Sequence, residues 1–101
     1  MKKVILASVL LASSLISNTV MAGDVAAGKA KSVVCAACHG ADGKSVNPMW
    51  PNLAGQQEMY LVKQIKAFRD GTRTDPSMAP MVAGLTDEDA ENLAAYYSSL
   101  K

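Results

Sequence analysis

Apolar residues recur with the period of an α-helix in three segments of the chain. In residues 57–70 the apolar positions Leu61, Ile65 and Phe68 are spaced i, i+4 and i+7, and the lysines between them fall on other faces. Residues 24–34 are rich in alanine and lysine, and their apolar positions lie near one helical stripe. They predict a first helix that continues into Cys35.

The third helical segment has the clearest beginning. Thr86 supplies a capping hydroxyl, and three acidic residues follow it where the helix dipole favours negative charge. Leu85 is placed to pack on Ala90 as a hydrophobic staple. One face then carries Ala90, Leu93, Ala94, Tyr97 and Leu100, with Tyr96 beside them. No convincing strand pattern is present, so the sequence predicts an all-α fold with three main helices and long loops.

Two features of the predicted helices concern their contacts. Gly28 lies inside the first helix, where glycine lowers helix stability, and it suggests a close approach by another element. Gly71 is a natural end for the second helix. Near that end, Lys66 and Asp70 are spaced to form an ordinary i, i+4 ion pair.

The first 22 residues have the pattern of a secretory signal peptide. Lys2 and Lys3 give a basic start, residues 4–16 are apolar except for serines, and small residues precede Gly23. A membrane-spanning helix would need about 20 continuous apolar residues, and a lipoprotein would need cysteine in place of Gly23. We therefore expect cleavage before Gly23 and a soluble periplasmic domain of residues 23–101.

Size and charge narrow the class of protein. A domain of about 80 residues can barely be stabilised by a protein-only core, so a staple or cofactor is expected. The full chain has a formal net charge of +1, and removal of residues 1–22 with Lys2 and Lys3 would change it to −1, which gives no indication of nucleic-acid binding. Residues 29–73 contain seven Lys or Arg and three acids, whereas residues 74–101 contain one Lys and five acids. We expect two ordinary solvated faces, with a dedicated docking patch as the alternative.

Both cysteines and the only histidine lie within the stretch VVCAACHGADG, residues 33–43. A disulfide between Cys35 and Cys38 would close too small a ring to stabilise the fold, and a thioredoxin-like pair would follow a strand. Structural zinc would need further ligands, but the chain has no other Cys or His. Cys-x-x-Cys-His therefore indicates covalent attachment of one haem c, with the thiols bonded to the haem vinyl groups and His39 as proximal iron ligand.

The segment after this motif has loop composition. Residues 40–56 contain three glycines and two prolines and no long periodic stretch. Such a loop could wrap a cofactor. Its large apolar residues, Trp50 and Leu53, are expected to pack on the porphyrin or in the core.

A second iron ligand would come from methionine or lysine, because no other histidine is present. Met59 opens the second helix, where packing is expected, and Met49 follows His39 too closely to reach the opposite haem face easily. Met78 and Met81 lie in the proline-flanked segment TDPSMAPMVAGLT, which can cross the distal face as a loop. On this reasoning either methionine is a candidate, and core filling is the alternative for both.

These motifs together resemble the class I c-type cytochromes. The likeness covers GDVAAGKAKSVVCAACHGADGKS, PNLAGQ, YLVKQIKAFRDG and MAPMVAGLTDEDAENLAAYYSSL, which is nearly all of residues 23–101. It is strongest to the small exported bacterial monohaem type, cytochrome c553-like, and to a single cytochrome c4 domain. The stretch between the second helix and Met78 is shorter than in some members.

The resemblance assigns roles to individual residues. It implies thioether bonds at Cys35 and Cys38, His39 as proximal ligand and Met78, rather than Met81, as distal ligand. It also implies that the Pro51 carbonyl accepts the His39 Nδ1 hydrogen. Gly28 against Leu93 and Tyr96 is similar to the crossing of the first and last helices in that fold.

An iron with both axial positions filled by protein predicts electron transfer and no enzymatic activity. Expected partners are transient redox proteins such as membrane-bound reductases and terminal oxidases, with the domain a monomer. Two alternatives stay open. One is an open-site haem protein for gas binding or peroxide chemistry, and the other is a redox subunit of a larger complex.

Overall fold

The computed structural model describes residues 23–101, so the predicted signal peptide at residues 1–22 lies outside the described residues. Every regular element in the described part is a helix, which confirms the all-α prediction. The helices are α1 (Val25–Lys31), α2 (Val33–His39), α3 (Glu58–Asp70), α4 (Ala79–Val82) and α5 (Asp87–Ser99). None of the helices within residues 23–101 is long and apolar enough to cross a membrane.

The prediction of one continuous first helix is wrong, because the helix is interrupted at Ser32. The Ser32 hydroxyl donates a hydrogen bond of 2.7 Å to the Lys29 carbonyl oxygen, and its backbone N–H bonds to Gly28 and Lys29. Serine competes for backbone acceptors in this way and favours helix ends. A second helix, α2, therefore carries the cysteine–histidine motif and ends at Gly40, whose φ of 84° suits glycine.

Helix α1 crosses α5 at Gly28. A Cβ added to Gly28 would collide with the Asn92 carbonyl group and would lie 2.8 Å from the Tyr96 Cβ. The predicted close approach and its contact with Tyr96 are confirmed, but the nearest backbone belongs to Asn92 instead of Leu93. Beside the crossing, the Asp24 N–H donates to the Asn92 Oδ1 at 2.8 Å.

The core lies between α5 and the other long helix, α3. Its buried cluster consists of Leu61, Leu93, Ala94, Tyr96 and Tyr97. The partly buried residues packed on this cluster are Cys35, Leu53, Val62, Ile65, Leu85 and Leu100. Because α5 supplies four of the five buried residues, it is the central element that organises the domain.

The capping of α5 is confirmed as a reciprocal capping box. The Thr86 hydroxyl accepts a hydrogen bond from the Asp89 N–H, and the Asp89 carboxylate accepts one from the Thr86 N–H, each at 3.0 Å. These bonds satisfy backbone donors that the first turn of a helix leaves without partners.

The predicted pair of Lys66 with Asp70 is wrong. Lys66 lies 3.9 Å from the Asp87 carboxylate, and Asp70 is paired with its neighbour Arg69 at 2.9 Å. Arg69 also donates to Asp87 at 2.7 Å and to the Leu85 carbonyl oxygen at 3.3 Å. The end of α3 is thereby tied to the beginning of α5.

Candidate cofactor site

Helix α2 brings the three residues of the cysteine–histidine motif together. Cys35 is followed at i+3 by Cys38 and at i+4 by His39, and these spacings place side chains on one face of a helix. His39 is only 6% exposed, while both cysteines are half-buried and carry free thiols. Burial raises the pKa of the Cys35 thiol, so this sulfur is protonated at neutral pH.

The ring of His39 is held by the backbone of the following loop. Its Nδ1 lies 2.8 Å from the carbonyl oxygen of Pro51. A carbonyl oxygen only accepts hydrogen bonds, so Nδ1 is the donor, and in the neutral imidazole Nε2 then carries the lone pair. The predicted hydrogen bond is present, and it leaves Nε2 as the atom able to bind a metal.

The position of Pro51 depends on hydrogen bonds between the two arms of this loop. The Gly43 carbonyl oxygen accepts from the N–H groups of Leu53 and Ala54 at 2.7 and 3.0 Å. The Asn52 side chain accepts from the Ser45 N–H at 2.8 Å. Sequence reasoning missed the contribution of Asn52, because a polar loop residue gives no indication of a partner seven positions away.

Trp50 and Leu53, the two large apolar residues of the loop, have different surroundings. Leu53 is half-buried and packs against the core cluster, which agrees with the expectation that it packs in the core. Trp50 is 38% exposed in the polypeptide. Packing of either residue on a porphyrin remains a prediction.

The proline-flanked segment contains one turn of helix where a loop was expected. Met78 is the N-cap residue of α4 and is half-buried, whereas Met81 lies within α4 and is 47% exposed. Met49 and Met59 are both largely exposed. Among the four methionines within residues 23–101, Met78 is therefore the one that the polypeptide itself shelters most.

The Asp75 side chain fixes the backbone at Met78. Its Oδ1 accepts hydrogen bonds from the N–H groups of Ser77 at 2.8 Å and Met78 at 3.1 Å. Sequence reasoning missed this residue, although Asp followed by Pro is a recognisable turn signal.

The donor groups of the site fit a covalently attached haem. The two thiols are free, and the His39 Nε2 has its lone pair available. The Tyr97 hydroxyl is buried beside the Cys35 thiol. Burial, and then the neighbouring Cys35, raise the pKa of Tyr97, so this hydroxyl stays neutral and remains a donor inside the site.

Comparison with known proteins agrees with the fold. The model of the family described as cytochrome c matches residues 25–101. The chain belongs to the cytochrome c family. Its Cys-x-x-Cys-His spacing, helical architecture and lack of strands in residues 23–101 are those of a class I member.

Three similar proteins place the chain within the family. Cytochrome c4 of Pseudomonas aeruginosa is 50% identical over 74 residues, which cover 73% of this chain and 37% of that protein. Cytochrome c-554(548) of Halomonas halodenitrificans is 53% identical over 75 residues, which cover 71% of this chain and 90% of that protein. The crystal structure of reduced recombinant cytochrome c4 from Pseudomonas stutzeri has a TM-score of 0.76 and 45% identity.

The lengths of these relatives differ from that of the chain. The match to the Pseudomonas stutzeri structure covers 79% of this chain and 47% of that one. The chain therefore spans less than half the length of the two cytochrome c4 proteins, while it spans most of cytochrome c-554(548).

Proposed function

We propose that the chain is a soluble periplasmic electron carrier with one haem c attached to Cys35 and Cys38, and with His39 and Met78 as the axial iron ligands. The observation that carries this proposal is the hydrogen bond from the His39 Nδ1 to the Pro51 carbonyl oxygen. It orients the imidazole and leaves Nε2 as a ligand atom, on the helix that also holds both thiols. Membership of the cytochrome c family supports the same cofactor.

When bound, the haem supplies reversible one-electron exchange between ferric and ferrous iron. The chain's own residues have three tasks around it. Cys35 and Cys38 hold the group by thioether bonds, and His39 binds the iron through a fixed imidazole. Met78 supplies a thioether ligand, which favours the reduced state and a higher potential than a second imidazole would. With His39 and Met78 as its ligands, the iron would have no position left for a substrate.

The domain organisation and location belong to the same proposal. Residues 1–22 are a signal peptide that is removed on export, and residues 23–101 form the single cytochrome domain. Its partners are proteins that give or take one electron, such as membrane-bound reductases and terminal oxidases. It has no enzymatic activity of its own and binds no nucleic acid.

A second candidate is a redox unit that works as part of a larger protein or complex. The specific observation in its favour is that the chain spans only 37% of cytochrome c4 from Pseudomonas aeruginosa. The 90% coverage of cytochrome c-554(548) favours the free carrier. Size-exclusion chromatography of a native extract, followed by haem absorbance, separates the two, because only a free carrier elutes at the size of this single chain.

The axial ligands are tested by optical spectroscopy of the oxidised and reduced holoprotein, with and without carbon monoxide. We expect a low-spin spectrum, the methionine-to-ferric-iron charge-transfer band and no response to carbon monoxide. Met78→Ala should lose the band and bind carbon monoxide. The matched variant Met81→Ala should keep the band and show no response to carbon monoxide. A high-spin wild-type protein that binds carbon monoxide promptly would instead support the gas-binding or peroxide alternative.

A further inference from the structure

The segment before α4 is organised around one side chain, that of Asp75. Its Oδ1 accepts the N–H groups of Ser77 and Met78 at 2.8 and 3.1 Å. Its own carbonyl oxygen accepts the Ala79 N–H at 2.9 Å. One residue thus bonds to the backbone at three successive positions, with Met78 in the middle.

The other end of the segment is fixed by packing. Val82, at the end of α4, is 3% exposed, and the Met78 carbonyl oxygen accepts hydrogen bonds from Met81 and Val82 at 3.0 and 3.2 Å. The Met78 carbonyl is therefore held by the helix that follows it. Its N–H is held by Asp75, which is the only side chain within residues 23–101 that bonds to the Met78 backbone.

These contacts leave the Met78 backbone little freedom. Its N–H and C=O groups are both bonded, and Pro76 and Pro80 restrict the chain on either side. A side chain carried on such a backbone loses less conformational entropy when it binds a ligand than one on a mobile loop.

We infer that Asp75 is a positioning residue for the distal iron ligand. Its carboxylate holds the Met78 backbone in the conformation that the iron-bound thioether requires. This inference rests on the proposed function, because it takes Met78 as the ligand. Loss of the Asp75 acceptor would leave the Met78 N–H unbonded and would allow the segment to move away from the iron. An external ligand would then displace Met78 more easily.

The experiment measures displacement of Met78 by imidazole in the ferric holoprotein, followed as loss of the methionine-to-iron band. Asp75→Ala should bind imidazole about fivefold more tightly than wild type, the factor that corresponds to loss of one capping interaction. Asp75→Asn keeps an Oδ1 acceptor without the charge and should retain affinity close to that of wild type.

The matched control is Asp24→Ala. The Asp24 Oδ1 also accepts two backbone N–H groups, those of Ala26 at 2.9 Å and Ala27 at 3.2 Å, but it caps α1 away from Met78. Asp24→Ala should lower the denaturation midpoint to a similar extent and leave imidazole affinity unchanged. This comparison separates local positioning of Met78 from general loss of stability.

The outcomes distinguish the inference from the function on which it rests. A wild-type protein without the methionine band would overturn the proposed ligation, whatever Asp75 does. A wild-type protein with the band, and equal imidazole affinities in Asp75→Ala and Asp24→Ala, would overturn the role of Asp75 alone. If Asp75→Ala yields no holoprotein, Asp75→Glu keeps the charge but displaces the carboxylate by one methylene. Wild-type imidazole affinity in that variant would likewise contradict the inference.

Discussion

The His39 Nδ1 and the Pro51 carbonyl oxygen lie 2.8 Å apart, although the two residues are separated by twelve positions in the chain. The acceptor is a backbone atom, so no side-chain substitution at residue 51 removes it. The geometry of the bond is instead set by the loop that carries Pro51. The hydrogen bond between Ser45 and Asn52 is the side-chain contact that closes this loop.

Asn52→Ala should therefore weaken the bond between His39 and Pro51 without touching either residue. Loss of the Oδ1 acceptor removes one hydrogen bond, which should lower the free energy of unfolding by about 1 kcal/mol. We also expect faster solvent exchange of the His39 Nδ1 proton, measured by nitrogen-15 NMR. Asn52→Asp keeps the acceptor and is the control. An unchanged exchange rate in Asn52→Ala would show that the Gly43 contacts alone hold the loop.

Cys38→Ser should give little stable holoprotein. The variant retains His39 but can form only one thioether bond, so haem is lost more readily and the domain lacks part of its interior. Yield and haem content are measured by absorbance and by mass spectrometry of the denatured protein. Ala37→Ser adds the same hydroxyl to an exposed position between the cysteines and should be harmless. Normal amounts of fully loaded, redox-competent Cys38→Ser protein would contradict covalent attachment through both thiols.

Gly28→Ala should destabilise the domain. The new methyl group would meet the Asn92 carbonyl group and the Tyr96 Cβ, and backbone atoms cannot move aside as a flexible side chain can. The clash outweighs the better helix propensity of alanine, so we expect a net loss of about 1–3 kcal/mol in denaturant unfolding.

Gly84→Ala is the matched control for Gly28→Ala at the crossing of α1 and α5. A Cβ at Gly84 would meet no atom within 4 Å, so its effect should stay within about 0.5 kcal/mol. Equal unfolding midpoints for the two alanine variants would mean that α1 and α5 can separate slightly at little cost.

The capping box of α5 predicts that the domain loses part of its folding stability in acid. The Thr86 N–H, which donates to the Asp89 carboxylate, holds the pKa of Asp89 below its usual value, and Lys31 acts in the same direction. Because the pKa of Asp89 is lower in the folded state, the ionised carboxylate stabilises the fold fully above the pKa that Asp89 has in the unfolded chain. This stabilisation disappears as pH falls through the folded pKa. Wild type should therefore lose this stabilisation progressively as pH falls below the usual aspartate pKa.

Asp89→Asn tests this loss of stability by denaturant unfolding at several pH values. The variant should be less stable than wild type at neutral pH, and the two curves should converge in acid. Glu88→Gln removes a charge from the same turn without breaking the capping box, and it should not show this convergence. A constant difference between wild type and Asp89→Asn at every pH would contradict the assignment.

The parts of this protein that were predictable from sequence are those governed by local pattern. Helix α3 follows from the spacing of Leu61, Ile65 and Phe68, and the α5 cap follows from Thr86 and its acids. The interruption at Ser32 was not predicted, because apolar periodicity continues across it while a side-chain hydrogen bond ends the helix.

Contacts between distant residues were less predictable. Lys66 matches Asp70 by helical spacing, yet it pairs with Asp87, because the packing of α3 on α5 brings that carboxylate closer. The bond between His39 and Pro51 came only from the family resemblance, since nothing in the local sequence relates the two residues. The supports supplied by Asn52 and Asp75 depend on loop conformations that composition does not specify.

The position of α5 has a consequence for how the polypeptide matures. Most of the buried cluster belongs to the last helix, and Gly28 near the other end of the domain packs directly on it. Under the proposed export, a chain that emerges from a translocation channel amino end first cannot assemble its interior until Tyr97 has passed through. During that interval Cys35, Cys38 and His39 would already be outside and not yet enclosed by α5, so the proposed haem attachment would take place before α5 packs on α1.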